Sequence, residues 1–343
     1  MKTVDINYKG SDSNIYISEA WRLVQDLIQH DNVFIISDIN VQRLYGDCFP
    51  DFPTITIGTG EAVKEFDTVE TIIKHLLAAG ADRSTFLLGI GGGIVCDIAG
   101  FVASVFMRGI DFGFISTTLL SQVDASVGGK NGVNINGIKN IAGCINQPGF
   151  VICDTSLLRT LDEAEYISGL GELVKHALIL DSKLFEDIEK NTEKLMDRDA
   201  DLLEDMVYRS VQLKASVVQK DIEEKGLRRL LNFGHTLGHA VEASEGIVHG
   251  SAVAYGMSIA ASISRDEGYI SDKDLDRINS LFKKLTLFDQ ISPGWDNVSD
   301  KILADKKRKG KDIYYILLED IGSAIQVKYP LDKILKMIKI KIQ

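Results

Sequence analysis

The spacing of apolar residues changes near position 160 of this 343-residue chain. In the first part, short apolar runs alternate with segments whose apolar residues recur every three or four positions. Short runs of this kind are typical of buried strands, and the longer spacing is typical of helices. The pattern predicts strands at 32–37, 54–57, 85–90, 112–116 and 150–153, and helices at 61–79 and 94–108. Strands that alternate with helices indicate a mainly parallel sheet covered on both faces.

Helical spacing dominates the second part of the chain. It predicts helices at 163–180, 198–221, 227–244, 250–267 and 271–285, the first of them capped by Asp162. Apolar runs at 313–318 and 324–327 flank a turn signal at Gly322 and predict a late hairpin. We therefore expect two domains: a Rossmann-like α/β domain at 1–157 and an all-helical domain at 158–343.

Three of the six histidines lie within residues 228–250, which read RRLLNFGHTLGHAVEASEGIVHG. His235 and His239 are four positions apart, so a helix would place both imidazoles on one face. His249 follows in a loop before the next helix. Neutral imidazole is the commonest metal ligand in proteins, although a histidine is often only a hydrogen-bonded core or surface group. The cluster indicates a metal site, provided that a further hard ligand comes from elsewhere in the chain.

The segment GELVKH at 171–176 lies inside an apolar helical pattern and offers such a ligand. Glu172 and Lys175 are three positions apart, which is also the spacing of an ordinary helical ion pair. As a ligand, Glu172 would join His235 and His249 and leave zinc with open coordination positions, as catalytic zinc sites require. His176 is a competing ligand, but its helical neighbours are apolar.

Two polar segments in the first part of the chain point to ligand contacts. A predicted strand runs into Gly91, Gly92 and Gly93, where backbone N–H groups at a helix N-terminus suit a phosphate. The spacing matches neither the dinucleotide fingerprint nor the Walker sequence, and a tight structural turn explains the glycines nearly as well. Asp97 follows on an apolar helix face, where an unpaired carboxylate is costly, so a ligand or a cation is expected there. Residues 124–140, DASVGGKNGVNINGIKN, predict either a loop that closes over a polyhydroxylated or phosphorylated ligand or a solvated surface loop.

Composition narrows the choice of partners. The net charge of −11 and the pI of about 5.1 argue against nucleic acid or an anionic membrane as the main partner. A small anionic substrate remains an option if basic side chains gather locally. The four cysteines show no CxxC spacing, the N-terminal segment lacks the apolar region of a signal sequence, and no apolar run approaches the length of a membrane span. We expect a cytoplasmic protein with reduced thiols.

Five stretches together resemble the 3-dehydroquinate synthase family of sugar phosphate cyclases: GGGIVCDIAGFVASVFMRGI, ISTTLLSQVDASVGGKNGVN, GLGELVKHALI, KGLRRLLNFGHTLGHAVE and HGSAVAYGM. They follow one another in collinear order over most of the chain, and they are specific in combination. The resemblance implies an NAD-binding α/β domain, a helical domain that binds Zn²⁺ or Co²⁺, and a homodimer. It also implies a lyase of the shikimate pathway that converts 3-deoxy-D-arabino-heptulosonate 7-phosphate to 3-dehydroquinate and phosphate.

Matched position by position, the resemblance assigns three groups of residues. The metal falls to Glu172, His235 and His249. NAD falls to Asp38, Asn40, Glu61, Lys64, Gly91, Gly92, Gly93, Asp97, Thr117, Thr118, Lys139 and Thr160. The substrate falls to Arg108, Asp124, Lys130, Asn140, Lys175, Lys214, Arg228, Asn232, His239 and one of Lys306 and Lys307, with Asp124, Lys130, Lys175 and His239 as the catalytic members and Arg108 reaching the site of the partner subunit.

The chain departs from the family pattern at three places. The helix motif that usually reads AEVIK is GELVK here, and the loop motif GKN is IKN at 138–140. Glu165 stands where a glutamine is often found near the adenosine, which leaves the adenine contact open. None of these differences removes a metal ligand or a charge partner.

The implied reaction explains why these residue types are needed. Transient oxidation of the C5 alcohol by NAD⁺ makes the C6 proton acidic, phosphate leaves, NADH reduces the ketone, and ring opening and an intramolecular aldol step follow. The metal would lower the pKa of the alcohol, while Lys214, Arg228 and Asn232 would hold the carboxylate. Another sugar phosphate cyclase would share NAD, metal and mechanism, but a substrate without a carboxylate would leave two cations unpaired. A metal-dependent alcohol or glycerol dehydrogenase would accumulate NADH, and a non-catalytic NAD sensor would not need both residue sets.

Overall fold

A computed structural model describes residues 1–8, 11–18, 21–288, 291–306 and 312–342 of the chain. The chain divides into two compact units, one formed by Met1–Leu161 with Leu203–Gln219 and the other by Asp162–Leu202 with Lys220–Gln343. It therefore passes from one unit to the other at 161/162, 202/203 and 219/220. Within the described residues, no helix is both long enough and apolar enough to cross a bilayer.

The first unit is an α/β structure. Its strands are β1 (Lys2–Tyr8), β2 (Ser11–Ile17), β3 (Val33–Asp38), β4 (Thr54–Ile57), β5 (Phe86–Gly91), β6 (Asp111–Ser116), β7 (Lys130–Ile135), β8 (Ile138–Ile145) and β9 (Phe150–Cys153). Its helices are α1 (Val24–Leu27), α2 (Ile39–Tyr45), α3 (Phe66–Ala78), α4 (Gly93–Val105) and most of α8, which is numbered below with the second unit.

Seven of these strands form one sheet in the order β1-β2-β9-β6-β5-β3-β4. Every neighbouring pair is parallel except β1 with β2, so the expected mainly parallel α/β sheet is confirmed. All six residues of β5 are buried, as a central strand covered on both faces requires. A Cβ on Gly89 would lie 3.1 Å from the Ala99 side chain of α4, so this glycine lets the helix pack closely on the sheet.

The hairpin of β1 and β2 was not predicted, and the segment 124–140 is not the loop that its polarity suggested. Ser121–Ala125 forms a turn of π-helix, and β7 then pairs with β8 in an antiparallel hairpin. Gly132 and Gly143 face each other across this hairpin, and a Cβ on Gly132 would lie 2.7 Å from the Ala142 carbonyl oxygen. Glycine therefore serves here to bring two backbones together, a use that hydrophobic spacing does not reveal.

Two predicted helix boundaries also differ. The segment 61–79 begins with a 3₁₀ turn at Glu61–Val63, and α3 starts only at Phe66. The helix breaks because the Lys64 carbonyl accepts the Asn134 N–H at 2.7 Å instead of a bond from the next turn. At its other end, α4 stops at Val105, since Met107 and Arg108 both adopt positive φ.

The second unit is mainly helical, as expected, and contains the predicted late hairpin. Its helices are α5 (Glu163–Leu180), α6 (Ser182–Lys190), α7 (Thr192–Met196), the ends of α8 (Ala200–Lys220), α9 (His235–Glu245), α10 (His249–Asp266), α11 (Asp272–Lys284), α12 (Trp295–Lys306) and α13 (Leu331–Ile342), and its strands are β10 (Asp312–Asp320) and β11 (Ser323–Pro330). Asp162 caps α5 through the Ala164 N–H. The helix expected at 227–244 begins at His235, because Gly234 has a φ of 78° and separates it from a 3₁₀ turn at Leu227–Asn232. His249 is the first residue of α10 rather than part of a loop.

Residues 203–219 group with the first unit, whereas the sequence placed them in the second domain. The contacts of α8 give the reason. The Lys214 ammonium donates to the Asp124 carboxylate at 2.7 Å, and the Gln219 side chain donates to the Asp5 carbonyl at 2.7 Å. The predicted boundary after residue 157 lies four positions before the first passage between the units, at 161/162.

Three helices of the second unit meet through glycines. A Cβ on Gly250 of α10 would lie 2.1 Å from the Ser168 carbonyl oxygen of α5, and a Cβ on Gly256 would lie 2.0 Å from the Gly234 carbonyl oxygen. The Gly250 N–H also donates to the Ser168 hydroxyl at 3.0 Å. At Gly171 of α5, a Cβ would lie 2.9 Å from the Gly250 carbonyl oxygen. Side chains at these positions would push α5, α9 and α10 apart.

Substituting Gly250 by alanine tests this contact. In a helix with free space, alanine is more favourable than glycine by about 1 kcal/mol. Here the added methyl group overlaps the Ser168 backbone, so we expect a net loss of stability of about 1–3 kcal/mol, as for other overpacked cores. Urea unfolding followed by circular dichroism measures the change, and Ser251→Ala on the same helix is the control. A Gly250→Ala protein as stable as the wild type would contradict the packing.

Candidate active site

Three side chains from different helices converge in the second unit. Glu172 lies on α5, and His235 and His249 are the first residues of α9 and α10. The Glu172 Oε1 atom is 3.8 Å from His235 Nε2 and 3.7 Å from His249 Nε2. Two ligands that are each about 2.1 Å from a tetrahedral zinc ion lie roughly 3.4 Å apart. The structure thus brings together the residues assigned to the metal at nearly the separation that one ion requires.

The surroundings of Glu172 fit a cation. Its side chain is 0% exposed, and within the described residues its Oε1 atom has no hydrogen-bond donor, while its Oε2 atom contacts the Lys175 ammonium. Its ion pair with Lys175, itself 1% exposed, is the one that the helical spacing predicted. A buried carboxylate with unmet hydrogen-bonding capacity is costly, and a divalent ion would remove that cost. A set of oxygen and nitrogen ligands suits Zn²⁺ or Co²⁺.

The Nδ1 atom of each histidine also has a hydrogen-bond partner. His235 Nδ1 lies 3.1 Å from the Phe233 carbonyl oxygen, and His249 Nδ1 lies 3.0 Å from Glu242 Oε2. These contacts favour a proton on Nδ1 and leave Nε2 for an ion. The sequence did not single out Glu242. Its position seven residues after His235 on α9 places it on the same helix face, and that spacing was the available signal.

The pKa values of the two histidines are shifted in opposite directions. Burial, together with the nearby Lys175 ammonium, holds the pKa of His235 well below its usual range, so its ring is neutral at physiological pH. Burial would also lower the pKa of His249, but the hydrogen bond with Glu242 and the charges of Glu172 and Glu242 outweigh it and raise that pKa.

His239 joins the same cluster. Its ring centroid is 5.0 Å from that of His235 and 5.7 Å from that of His249, and one nitrogen of each ring lies within 4.8 Å of the others. His239 is exposed, unlike its two neighbours. The sequence assigned it to the substrate, and its position also suits a fourth ligand.

The residues assigned to the substrate carboxylate do not all lie in one unit. Arg228, 2% exposed, sits on the turn Leu227–Asn232, where its Nη1 donates to the Ile222 carbonyl at 2.8 Å. The loop before it is folded around Asp221, whose carboxylate accepts the Arg228 N–H at 3.0 Å. Asn232 donates to Glu224. Lys214 belongs to the first unit and is held there by Asp124.

The glycine run lies at the end of β5 and the start of α4. Among the described residues, no side chain caps the first turn of α4, so its N–H groups suit a pyrophosphate. A Cβ on Gly92 would lie 2.9 Å from the Thr118 methyl group, so packing requires a glycine there as well. The Thr117 N–H donates to the Gly91 carbonyl at 3.0 Å and fixes the neighbouring strand end.

The other residues assigned to NAD occupy the same unit. Asp38 caps α2 by accepting the N–H groups of Asn40 and Val41, and the Thr160 hydroxyl lies 2.5 Å from that of Tyr45. Lys64 forms an ion pair with Asp97. Removal from solvent raises the pKa of Asp97 to about 6, and the Lys64 ammonium opposes that rise.

The remaining assigned residues lie on the β7–β8 hairpin, near the ends of α4 and α12, or outside the described residues. Lys130 and Lys139 are exposed on the β7–β8 hairpin, and Arg108 is exposed where α4 ends. Lys306 is the last residue of α12, and Lys307 lies outside the described residues. Which of these two lysines serves the substrate stays a prediction.

The fold is shared with solved sugar phosphate cyclases. One is a 2-deoxy-scyllo-inosose synthase complexed with carbaglucose-6-phosphate, NAD⁺ and Co²⁺, with 27% identity, a TM-score of 0.87, and 98% of this chain and 99% of that one covered. Another is a 2-epi-5-epi-valiolone synthase from Streptomyces hygroscopicus with NAD⁺ and Zn²⁺ bound, with 25% identity, a TM-score of 0.87, and 100% and 99% covered. The fold therefore places this chain in the sugar phosphate cyclase class of enzymes.

Sequence comparison then identifies the family. Residues 54–168 match the N-terminal model of 3-dehydroquinate synthase, and residues 169–308 match its C-terminal model. The 3-dehydroquinate synthase of Thermoanaerobacter pseudethanolicus is 39% identical over 356 aligned positions, covering 99% of this chain and 100% of the relative. The chain belongs to the 3-dehydroquinate synthase family.

Replacing Glu242 by glutamine tests its role behind His249. Glutamine keeps the size and an acceptor oxygen but removes the negative charge that raises the basicity of the His249 ring as a ligand. Losing such a partner typically weakens metal binding about 10- to 100-fold, and we expect a loss in that range for Zn²⁺. Competition with a chromophoric chelator at fixed pH measures it. Glu245→Gln, on the exposed end of the same helix, is the control, and equal zinc affinities for the two variants would rule out the role.

Proposed function

We propose that this enzyme converts 3-deoxy-D-arabino-heptulosonate 7-phosphate to 3-dehydroquinate and phosphate. Relatives named 3-dehydroquinate synthase match almost the whole chain. The residues assigned to the metal and the cationic residues that such a reaction needs are present. NAD dependence, metal dependence and the lyase reaction type are part of the proposal. The NAD⁺ and the Co²⁺ or Zn²⁺ in the solved sugar phosphate cyclases support it.

The observation that carries the choice of substrate is the position of Arg228. Its guanidinium is buried on a turn that packs on α5, the helix that carries Glu172 and Lys175. A planar guanidinium matches a carboxylate with two parallel hydrogen bonds. The heptulosonate has a carboxylate, whereas a sugar phosphate without one would make no use of this residue.

The side chains of the second unit would have separate roles in the reaction. A divalent ion held by Glu172, His235 and His249 would polarise the C5 oxygen of the substrate. Lys175 and His239 would move the proton of the C5 hydroxyl, and Arg228 and Asn232 would orient the carboxylate.

The side chains of the first unit would bind the cofactor and further parts of the substrate. NAD would supply the hydride acceptor and donor at C5. The α4 N-terminus would bind its pyrophosphate, and Glu61 would bind a ribose hydroxyl. Asp124, Lys130, Asn140 and Lys214 would contact the substrate. The homodimer, the role of Arg108 in the site of the partner subunit and the cytoplasmic location stay predictions.

Phosphate release tests the reaction. With the heptulosonate phosphate and a catalytic amount of NAD⁺, we expect many equivalents of phosphate per enzyme and no steady rise in NADH absorbance, because oxidation and reduction occur at the same carbon. A coupled phosphate assay and absorbance at the nicotinamide wavelength are read in parallel. NADH formed in proportion to substrate would instead point to a dehydrogenase.

Arg228→Ala tests the substrate assignment. We expect substrate binding to weaken by about 2 kcal/mol, which is in the range for hydrogen bonds to charged groups. Zinc content and NAD affinity should stay unchanged. The wild type should discriminate strongly against an analogue in which a neutral amide replaces the carboxylate, and the variant should discriminate much less.

A neighbouring arginine provides the control for this experiment. Arg229 lies over the ring of Tyr314 and donates to the Glu224 carbonyl, so Arg229→Ala removes the same charge one position away. Its preference for the carboxylate should match that of the wild type. If Arg228→Ala also keeps the full preference, Arg228 does not bind the carboxylate and a substrate without one gains support.

A further inference from the structure

Asn134 on β7 joins residues of the cofactor set to a residue of the substrate set. Its side chain is buried, with 5% of the residue exposed. The Nδ2 atom donates to Glu61 Oε1 at 2.8 Å, and the Oδ1 atom accepts the Asn140 N–H at 2.9 Å. Its own N–H donates to the Lys64 carbonyl at 2.7 Å, beside a bridge to Glu65. The Asn134 carboxamide therefore donates to Glu61, which is assigned to NAD, and accepts from Asn140, which is assigned to the substrate.

Asn140 depends on these bonds for its conformation. Its φ is +52°, in the left-handed region that residues with a side chain adopt rarely, although asparagine more often than most. Asn134 holds the Asn140 backbone N–H, and the Lys64 ammonium donates to the Asn140 Oδ1 atom at 2.6 Å. The backbone of Asn140 is thus fixed by Asn134, which also binds Glu61, and its side chain is fixed by Lys64.

The four residues form a closed ring of contacts. Glu61 is bonded to Asn134, Asn134 to Asn140, and Asn140 to Lys64, whose N–H donates to the Glu61 carbonyl at 3.1 Å and whose carbonyl accepts the Asn134 N–H. Lys64 is 5% exposed, so its ammonium cannot leave Asn140 for solvent at low cost. A ligand that fixes Glu61 or Lys64 must therefore also restrict the conformations of Asn140.

We propose that Asn134 is a positioning residue that couples NAD binding to substrate binding. NAD held by Glu61 and Lys64 fixes the ring, and the ring presents Asn140 to the substrate. The inference rests on the proposed function, which assigns Glu61 and Lys64 to NAD and Asn140 to the substrate. Coupling of this kind is reciprocal, so the substrate must raise the affinity for NAD by the same factor, typically about 5- to 150-fold.

Calorimetric titration with NAD⁺ measures this factor. The titration is run with and without a saturating substrate analogue in which a phosphonate that cannot leave replaces the phosphate ester. The ratio of the two dissociation constants is the coupling factor. For the zinc-loaded wild type we expect a ratio of at least about 5. A wild-type ratio of one overturns the inference without reference to any variant.

Asn134→Asp separates the two bonds of the carboxamide. The carboxylate still accepts the Asn140 N–H, but it loses the donor to Glu61 and places a like charge beside it. We expect weaker NAD binding and a ratio near one, with the affinity for the analogue alone close to that of the wild type. A variant with normal zinc content and unfolding midpoint that keeps the wild-type ratio contradicts the role of Asn134.

Glu61→Gln is the matched variant on the cofactor side. The amide oxygen of glutamine still accepts from Asn134, so the ring persists while the charge offered to NAD is lost. We expect weaker NAD binding with the coupling ratio kept, which a general loss of structure would not produce. A ratio that falls to one in this variant as well would show that the charge of Glu61, and not the Asn134 bond, carries the coupling.

Phosphate release by the wild type distinguishes the two levels of failure. A wild type that releases phosphate from the heptulosonate phosphate but shows a ratio of one loses only the coupling. A wild type that binds NAD⁺ without releasing phosphate overturns the proposed function and with it the assignment of these residues.

Discussion

The contact of α5, α9 and α10 at glycine positions is the constraint on which the metal set depends. The backbones of these helices touch with no side chain between them, at Ser168 with Gly250 and at Gly234 with Gly256. Each expected ligand is the immediate neighbour of such a glycine, since Glu172 follows Gly171, His235 follows Gly234 and His249 precedes Gly250. The separations of the ligand atoms are therefore set by backbone contacts, which shift less than side-chain rotamers do. A site built on rigid elements can keep the narrow geometry that an ion demands.

The cationic residues show a second constraint, which is that a buried charge needs a partner. Lys214 is 5% exposed, and its ammonium lies on both the carbonyl and the carboxylate of Asp124, within a turn of π-helix. π-Helical turns are rare and often occur at functional sites. An anionic ligand that approaches Lys214 has to compete with Asp124 for the same ammonium. Arg228 is held differently, by a backbone carbonyl and by a loop ordered around Asp221.

Hydrophobic spacing predicted the elements that bury an apolar face, because their buried positions recur in the sequence with the period of the helix or strand. The strands β3 to β6 and β9 and the helices α5, α8, α10 and α11 lie within a few residues of their predicted positions. The hairpin of β7 and β8 was missed, since its cohesion comes from backbone bonds between segments rich in glycine and asparagine. For the same reason the sequence named Asn140 but gave Asn134 no role, although one hydrogen bond links them. Residue spacing and the resemblance assigned the metal to Glu172, His235 and His249, whereas the contact of Glu242 with His249 was seen only in the structure.

The repeated passage of the chain between the two units affects how such a fold is inherited. In a protein whose domains meet at one junction, a single recombination event can join the first domain of one parent to the second domain of another. Here a crossover at 161/162 would carry Leu203–Gln219 along with the second parent, although that segment belongs to the first unit. The hybrid would pair Asp124 from one parent with the residue at 214 from the other. The halves of this gene are therefore not independent modules. Parents that exchange them must carry residues at 124 and 214 that can still form the ion pair.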